Sequence, residues 1–285
     1  MFEISDKVAL ITGGASGIGL QYAIELLKNG LRGVTLADIN EEFGEKALND
    51  LSEQFGNGKV LFIKVDVSDK NLLEDAFKQT VEKFNNIDIL INNAGIMDDS
   101  VWEKEIDINI VSSFSTISKK ENIFKLQKGT INGTLLAIQK YIHNYKSGNE
   151  GVIVNISSVA GSDPAPILPV YSATKYAVIG LTRSFGTLMH YEISGVRIFA
   201  ICPGFTDTPL LSNIEEKSLR YDYGKSYREV KHLLVYQKPE NVARHAVNLI
   251  KTAPQGSVWI IENKDEAYEY KYIHRKQMKK LTLKV

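Results

Sequence analysis

Tyr171 and Lys175 stand four residues apart at the start of an amphipathic stretch, so a helix there projects both from one face. A free phenol, with a pKa of about 10, is a poor base at neutral pH. A lysine ammonium a few ångströms away, together with a cationic ring bound alongside, favours the phenolate and lowers that pKa. Ser158 precedes Tyr171 by thirteen residues, at the end of the apolar run Val152–Ser157. Its hydroxyl is placed to hold a substrate oxygen that Tyr171 protonates or deprotonates. Tyr-x-x-x-Lys and strand-ending serines each recur by chance. Their combination, in this order and context, points to proton transfer at a hydroxyl or carbonyl.

Such residues need a scaffold, and the chain alternates short apolar runs with amphipathic stretches throughout. Val8–Thr12, Gly33–Ala37, Val60–Val65, Ile87–Ile91, Gly151–Ile156, Val196–Ile201 and Ser257–Ile261 read as seven buried strands. Helical patterns cover Gly19–Lys28, Glu41–Phe55, Leu72–Phe84, Leu135–His143, Ser172–Tyr191 and Pro239–Lys251. Buried strands separated by helices predict an α/β fold of one domain: a doubly wound, seven-stranded parallel sheet of the Rossmann type with helices on both faces. Such a sheet binds its ligand at the carboxyl ends of its strands.

The first predicted strand leads into Thr12-Gly13-Gly14-Ala15-Ser16-Gly17-Ile18-Gly19 and then a helix. Glycines here allow a tight turn and close approach of a pyrophosphate, whose charge suits a helix N-terminus. Gly13, Ser16, Gly17, Ile18 and Gly19 are the expected phosphate contacts. Asp38 ends the second strand, where a carboxylate accepts both ribose hydroxyls of adenosine and repels an additional phosphate. It could instead cap the next helix, although Asn40 is equally placed to do so. No basic residue occupies 14–16, so NAD is expected rather than NADP. Asp66 and Val67 could address the adenine ring, with a turn-forming Asp66 the alternative. After the fourth strand, Asn93, Ala94 and Gly95 are small enough to admit a flat cofactor, and Asn92 and Asn93 can tie strands together.

Bulk properties limit the alternatives. Lysine plus arginine equals aspartate plus glutamate at 34 each, so no global field favours nucleic acid or an anionic membrane. Hydrophobic residues form 44% of the chain and charged residues 24%, a globular balance. No apolar stretch reaches the length of a membrane span. The N-terminus lacks a signal-peptide pattern, and the lone Cys202 suits a reducing compartment, so a cytoplasmic location is expected. No metal site is expected.

The quoted motifs, with Pro203-Gly204, resemble the short-chain dehydrogenase/reductase family from about residue 5 to about residue 262. Within it, the chain is most similar to insect alcohol dehydrogenases and NAD-dependent 15-hydroxyprostaglandin dehydrogenase-like proteins. The resemblance implies an NAD-dependent alcohol dehydrogenase acting on a secondary alcohol, with Asn109, Ser158, Tyr171 and Lys175 as its catalytic set. It implies that Asn109 supports a proton relay from the lysine. Tyr171, Lys175, Pro203, Gly204, Thr206 and Thr208 would meet the cofactor, with Thr206 and Thr208 near its carboxamide. It further implies a homodimer or homotetramer, and a variable lid over Pro209 to Tyr236. Apolar residues around Ile167-Leu168 suggest a small apolar alcohol or ketone substrate.

One segment breaks the pattern. Residues 111–127 are seventeen positions rich in serine and lysine, interposed where the family runs almost directly from Asn109 into a segment like Lys128-Gly129-Thr130. The segment reads either as a short intron retained in frame or as a genuine surface insertion. Beside Asn109 it would threaten the relay and a subunit interface, which leaves a catalytically impaired NAD-binding protein as the alternative function. Residues 263–285 read as a charged C-terminal extension.

Overall fold

The computed structural model describes residues 1–110, 130–263 and 265–273. Its strands are β1 (Val8–Thr12), β2 (Gly33–Asp38), β3 (Val60–Lys64), β4 (Ile89–Asn92), β5 (Gly151–Ile156), β6 (Val196–Pro203), β7 (Val258–Ile261) and β8 (Tyr268–Glu269). They form one sheet in the order β3-β2-β1-β4-β5-β6-β7-β8. The first seven pair in parallel, and β8 pairs antiparallel to β7. The sheet therefore has eight strands rather than seven. The additional one is a two-residue edge strand inside the stretch expected to be a terminal extension.

The helices are α1 (Gly17–Lys28), α2 (Glu41–Phe55), α3 (Lys70–Phe84), α4 (Trp102–Asn109), α5 (Thr130–Gln139), α6 (Tyr141–Tyr145), α7 (Pro169–Phe185), α8 (Leu188–Ser194), α9 (Tyr221–Val230) and α10 (Pro239–Thr252). Side chains alternate across the sheet with the period of two that strands impose. Ala9 and Ile11 face a core built with α1, α2 and α10, whereas Leu10 faces one built with α3, α5 and α6. Helix α7 covers the far half of the second face, packing Ile179 against Ala200, Cys202, Val258 and Ile260.

Two helical expectations need correction. The pattern Ser172–Tyr191 is two helices, because the chain breaks at Gly186 and Thr187 and restarts as α8. The pattern Leu135–His143 likewise divides at Lys140 into α5 and α6. The lid stretch, for which the sequence predicts no helix, contains α9. The segment 111–127 lies outside the described residues.

The strand order reverses between β1 and β4. Chain leaving β1 moves outward through β2 and β3, and β4 returns to the other side of β1. A crevice must open at the carboxyl ends of these two strands, and the glycine-rich turn and Asn92-Asn93-Ala94-Gly95 both emerge there.

Candidate active site

The turn after β1 is tied to the turn after β4. Thr12 Oγ1 accepts the N–H of Asn93 at 3.0 Å and of Ala94 at 3.1 Å. The Asn93 amide in return donates to the carbonyls of Thr12 and Gly13 at 3.0 Å each. Gly13 sits at φ +63°, and a Cβ there would lie 2.9 Å from the Asn93 amide nitrogen. At Gly19 a Cβ would collide with the Gly13 carbonyl. The close approach of loop to helix therefore requires glycine at both positions. One strand further on, Asn92 donates to Asn155 Oδ1 at 2.8 Å, and Asn155 donates to Thr182 Oγ1 on α7 at 3.0 Å.

Helix α1 begins at Gly17 behind Ser16, and no side chain among the described residues caps it. By contrast, Asn40 caps α2 and Asp69 caps α3 through their side chains. The uncapped, positive end of α1 opens onto a cleft of about 280 Å³ lined by Gly13, Ser16, Gly17, Ile18, Asp38, Asp66, Val67, Asn93, Ala94, Gly95 and Thr208. Asp38 is fixed there, accepting the N–H of Ala15 and of Asn40 at 3.0 Å each. Asp66 lines the cleft and also makes a turn, accepting the N–H of Ser68 at 2.9 Å. Gly19 itself does not line the cleft; it is buried where α1 meets the turn.

A second cleft of about 410 Å³ adjoins the first and shares Ile18, Asn93, Gly95, Ile96, Thr208 and Leu210 with it. Ser158, Tyr171 and Lys175 meet on its wall with Pro203, Gly204 and Thr206. The rest is chiefly apolar: Met97, Leu168, Ile214 and Tyr227 pack around Tyr171 as a small core, with Leu210 and Leu211 against them. The sequence did not single out these lid residues one by one. Ser158 accepts the Ala160 N–H at 3.2 Å, which fixes its hydroxyl at the head of a short 3-10 turn.

Lys175 Nζ donates to the Ile156 carbonyl at 3.1 Å and lies 5.5 Å from the centre of the Tyr171 ring. Burial lowers the Lys175 pKa to about 8, against opposing pulls from Glu105 and Cys202. Burial also raises the Tyr171 hydroxyl well above its ordinary value; the Ser158 hydroxyl acts the other way, and Glu105 adds to the rise. In the protein alone, burial thus sets the direction, because a phenolate at this depth loses its solvation, and the lowering expected from Lys175 does not offset it.

Asn109 lines neither cleft. Its side chain is used behind the wall, where Oδ1 accepts the Ile96 N–H at 2.9 Å and Nδ2 donates to the Ile96 carbonyl at 2.8 Å and to Thr174 Oγ1 at 3.1 Å. It therefore holds the strand leaving Gly95 against α7. Two acidic residues nearby escaped the sequence reading. Asp99, fully buried, accepts the N–H groups of Val170 and Tyr171 at 2.9 Å each, and so caps α7 at the residue that presents the phenol. Glu105, fully buried on α4, accepts the Asp98 N–H at 3.0 Å. Only the turn-forming run Asp98-Asp99-Ser100 hinted at the first, and nothing marked the second.

A glycine cradle at the switch point, opening into a cleft with a buried phenol and amine, defines an oxidoreductase that works beside a bound dinucleotide. A family model described as short chain dehydrogenase matches residues 7–219. The 15-hydroxyprostaglandin dehydrogenase [NAD(+)] of Mus musculus is 38% identical over 252 residues, covering 87% of each chain. Alcohol dehydrogenase 1 of Ceratitis capitata is 33% identical over 258 residues, covering 90% of this chain and 92% of its own. A short chain dehydrogenase/reductase from Burkholderia phymatum, solved in complex with NAD, superposes with a TM-score of 0.73 at 22% identity over 92% of this chain and 90% of that one. The chain belongs to the short-chain dehydrogenase family. Among its described residues, no helix is long and apolar enough to cross a membrane.

Proposed function

We propose that this chain is an NAD-dependent dehydrogenase of apolar secondary alcohols, and that Tyr171 is its acid/base. The observation that carries this reading is the meeting of Ser158, Tyr171 and Lys175 on the wall of an apolar cleft continuous with the glycine cradle. The residues present suit the cofactor. The uncapped α1 N-terminus and the crowding at Gly13 and Gly19 leave backbone for a pyrophosphate, and Asp38 is held where a ribose would reach it. NAD, when bound, supplies the two-electron acceptor for the hydride and a positive ring.

The chain's own residues bind, orient and move the proton. Ser158 holds the substrate oxygen, and Tyr171 Oη takes the proton from the hydroxyl in oxidation or returns it in reduction. Lys175, kept charged below about pH 8, lowers the cost of the phenolate that burial otherwise imposes. Asn109 serves the site by fixing Ile96 and Thr174. The lid residues Leu210, Leu211, Ile214 and Tyr227 exclude water from the reacting carbon. A homodimer or homotetramer and a cytosolic location complete the reading. The fully buried, reduced Cys202 supports the latter.

The test is reduction of NAD, followed by absorbance, with a panel of secondary alcohols graded from short aliphatic to sterol- and eicosanoid-sized. Turnover with an apolar member, and less with NADP, supports the reading. Nucleotide binding without turnover of any alcohol or ketone would refute it.

A further inference from the structure

Glu105 is an ionisable side chain in a place that cannot readily solvate an ion. It has no exposed surface, its Oε1 accepts one backbone N–H, and its Oε2 has no hydrogen-bond partner among the described residues. A buried carboxylate oxygen left unpaired is strongly destabilising, whereas a protonated carboxyl makes far smaller demands. The groups facing it come from three elements. Asp98 and Asp99 precede α4, with the Asp99 carboxylate as its neighbour; Tyr171 and Lys175 face it from α7; and Cys202 on β6 stands beyond Lys175. Asp99 is committed, since its two oxygens receive the N–H groups of Val170 and Tyr171. Two adjacent buried carboxylates cannot both ionise cheaply, and Glu105, with the single N–H donor, is the one pushed toward the neutral acid.

We propose that Glu105 is a positioning residue: a neutral carboxylic acid whose proton, kept beside Asp99, leaves one negative charge at the first turn of the helix that carries Tyr171 and Lys175. Neutral Glu105 leaves Asp99 seated on the Tyr171 backbone. It also spares the phenol a second nearby anion that would oppose its ionisation. Burial first, opposed by the Asp98 N–H and reinforced by the Asp99 charge, pushes Glu105 up to about 8. The catalytic part of this inference rests on the assignment of Tyr171; the protonation of Glu105 does not.

The sign of the pH effect follows from linkage. Between its unfolded value of 4.5 and about 8, Glu105 is protonated in the folded chain and ionised in the unfolded one. It therefore makes folding less favourable as pH rises through that window. Glu105→Gln keeps the acceptor for Asp98 and offers Asp99 a donor, without a titrating proton. The thermal midpoint of Glu105→Gln minus that of the unsubstituted chain should therefore grow steadily from pH 5 to pH 8. A flat or shrinking difference would show Glu105 to be an anion paired with Lys175, and would overturn the proposal whether or not any alcohol is turned over. In the dehydrogenase assay, Glu105→Ala should lower kcat about tenfold or more with little change in KM for NAD, and Glu105→Gln should recover most of it. Equal loss in both variants would overturn the positioning role.

Discussion

The Thr130 hydroxyl donates to the Asn109 main-chain carbonyl at 3.1 Å, although twenty-one positions separate them in sequence. The same bond occurs within two continuous helices, where Thr80 donates to the Ala76 carbonyl and Thr182 to the Val178 carbonyl, each four residues back. Removing residues 111–127 would place Thr130 four residues after Asn109, with only Ile110, Lys128 and Gly129 between them. Asn109 and Thr130 are thus already related as neighbours on one helix, and the Asn109 side chain keeps its bonds to Ile96 and Thr174. Asn109, the residue that the segment adjoins, thus makes these bonds in the chain that carries it.

Deleting 111–127 should therefore join α4 and α5 into one helix and leave the site assembled. Closing a segment of this length costs about 2.5 kcal/mol of chain entropy, so the thermal midpoint should rise by several degrees. Turnover should equal or exceed that of the longer chain. A shortened chain that fails to fold, or that melts earlier, would show that the Asn109–Thr130 relationship does not mark a continuous helix. Sequencing cDNA across the junction separately tells whether message without the segment exists.

Tyr171→Phe removes one oxygen from the wall of the larger cleft and leaves its packing against Met97, Leu168 and Ile214 intact. NAD affinity, read by calorimetry, should change little. Turnover should fall about 10²–10⁴-fold, the usual worth of a positioned acid/base. A variant that keeps a tenth of the activity would remove Tyr171 from the chemistry and direct attention to Ser158 or a bound water.

What the sequence disclosed, and what it hid, follows from how each feature is encoded. Parallel strands buried on both faces must be continuous apolar runs, so Val8–Thr12 and Gly151–Ile156 were visible as such. The cradle was visible because backbone crowding admits only glycine at Gly13 and Gly19. Tyr268–Glu269 was not, since two residues on a sheet edge carry no pattern. The break at Gly186 is set by tertiary contact: a Cβ there would meet the Gly256 backbone. Glu105 was hidden most completely. In Trp102-Glu103-Lys104-Glu105 its type suggests a solvated face, and only the arrival of α7 against α4 buries it.

Asp38 offers a test of cofactor choice that leaves the fold alone. Asn40 caps α2, so Asp38 is not needed to start that helix. Its carboxylate is nonetheless held by the N–H of Ala15 and of Asn40, facing the smaller cleft. Hydrogen bonds to a charged group are worth about 1.5–3 kcal/mol each, so Asp38→Ser should raise KM for NAD about tenfold or more. The same change removes the repulsion of a 2′-phosphate, so kcat/KM for NADP should rise. Measuring both coenzymes decides the point: an unchanged ratio would mean that Asp38 serves only the Ala15 turn.

Cys202 tests the burial of the site from its far side. The thiol lies in β6 beneath α7, wholly inaccessible, and burial pushes it up to about 12. As an acid with a raised pKa, it stays protonated throughout the range in which Lys175, at about 8, changes charge. A thiolate there would draw the lysine's charge away from Tyr171; a neutral thiol leaves it available. The native chain should therefore fail to react with a disulfide reagent such as dithiobis(nitrobenzoate) at pH 8, and should yield one thiol per chain in denaturant. Because exposure requires β6 to separate from α7, NAD should slow any residual native reaction only insofar as it stabilises the fold. Rapid labelling of the native chain would mean that β6 and α7 part readily, and that Tyr171 and Lys175 are not held at the depth that sets their pKa values.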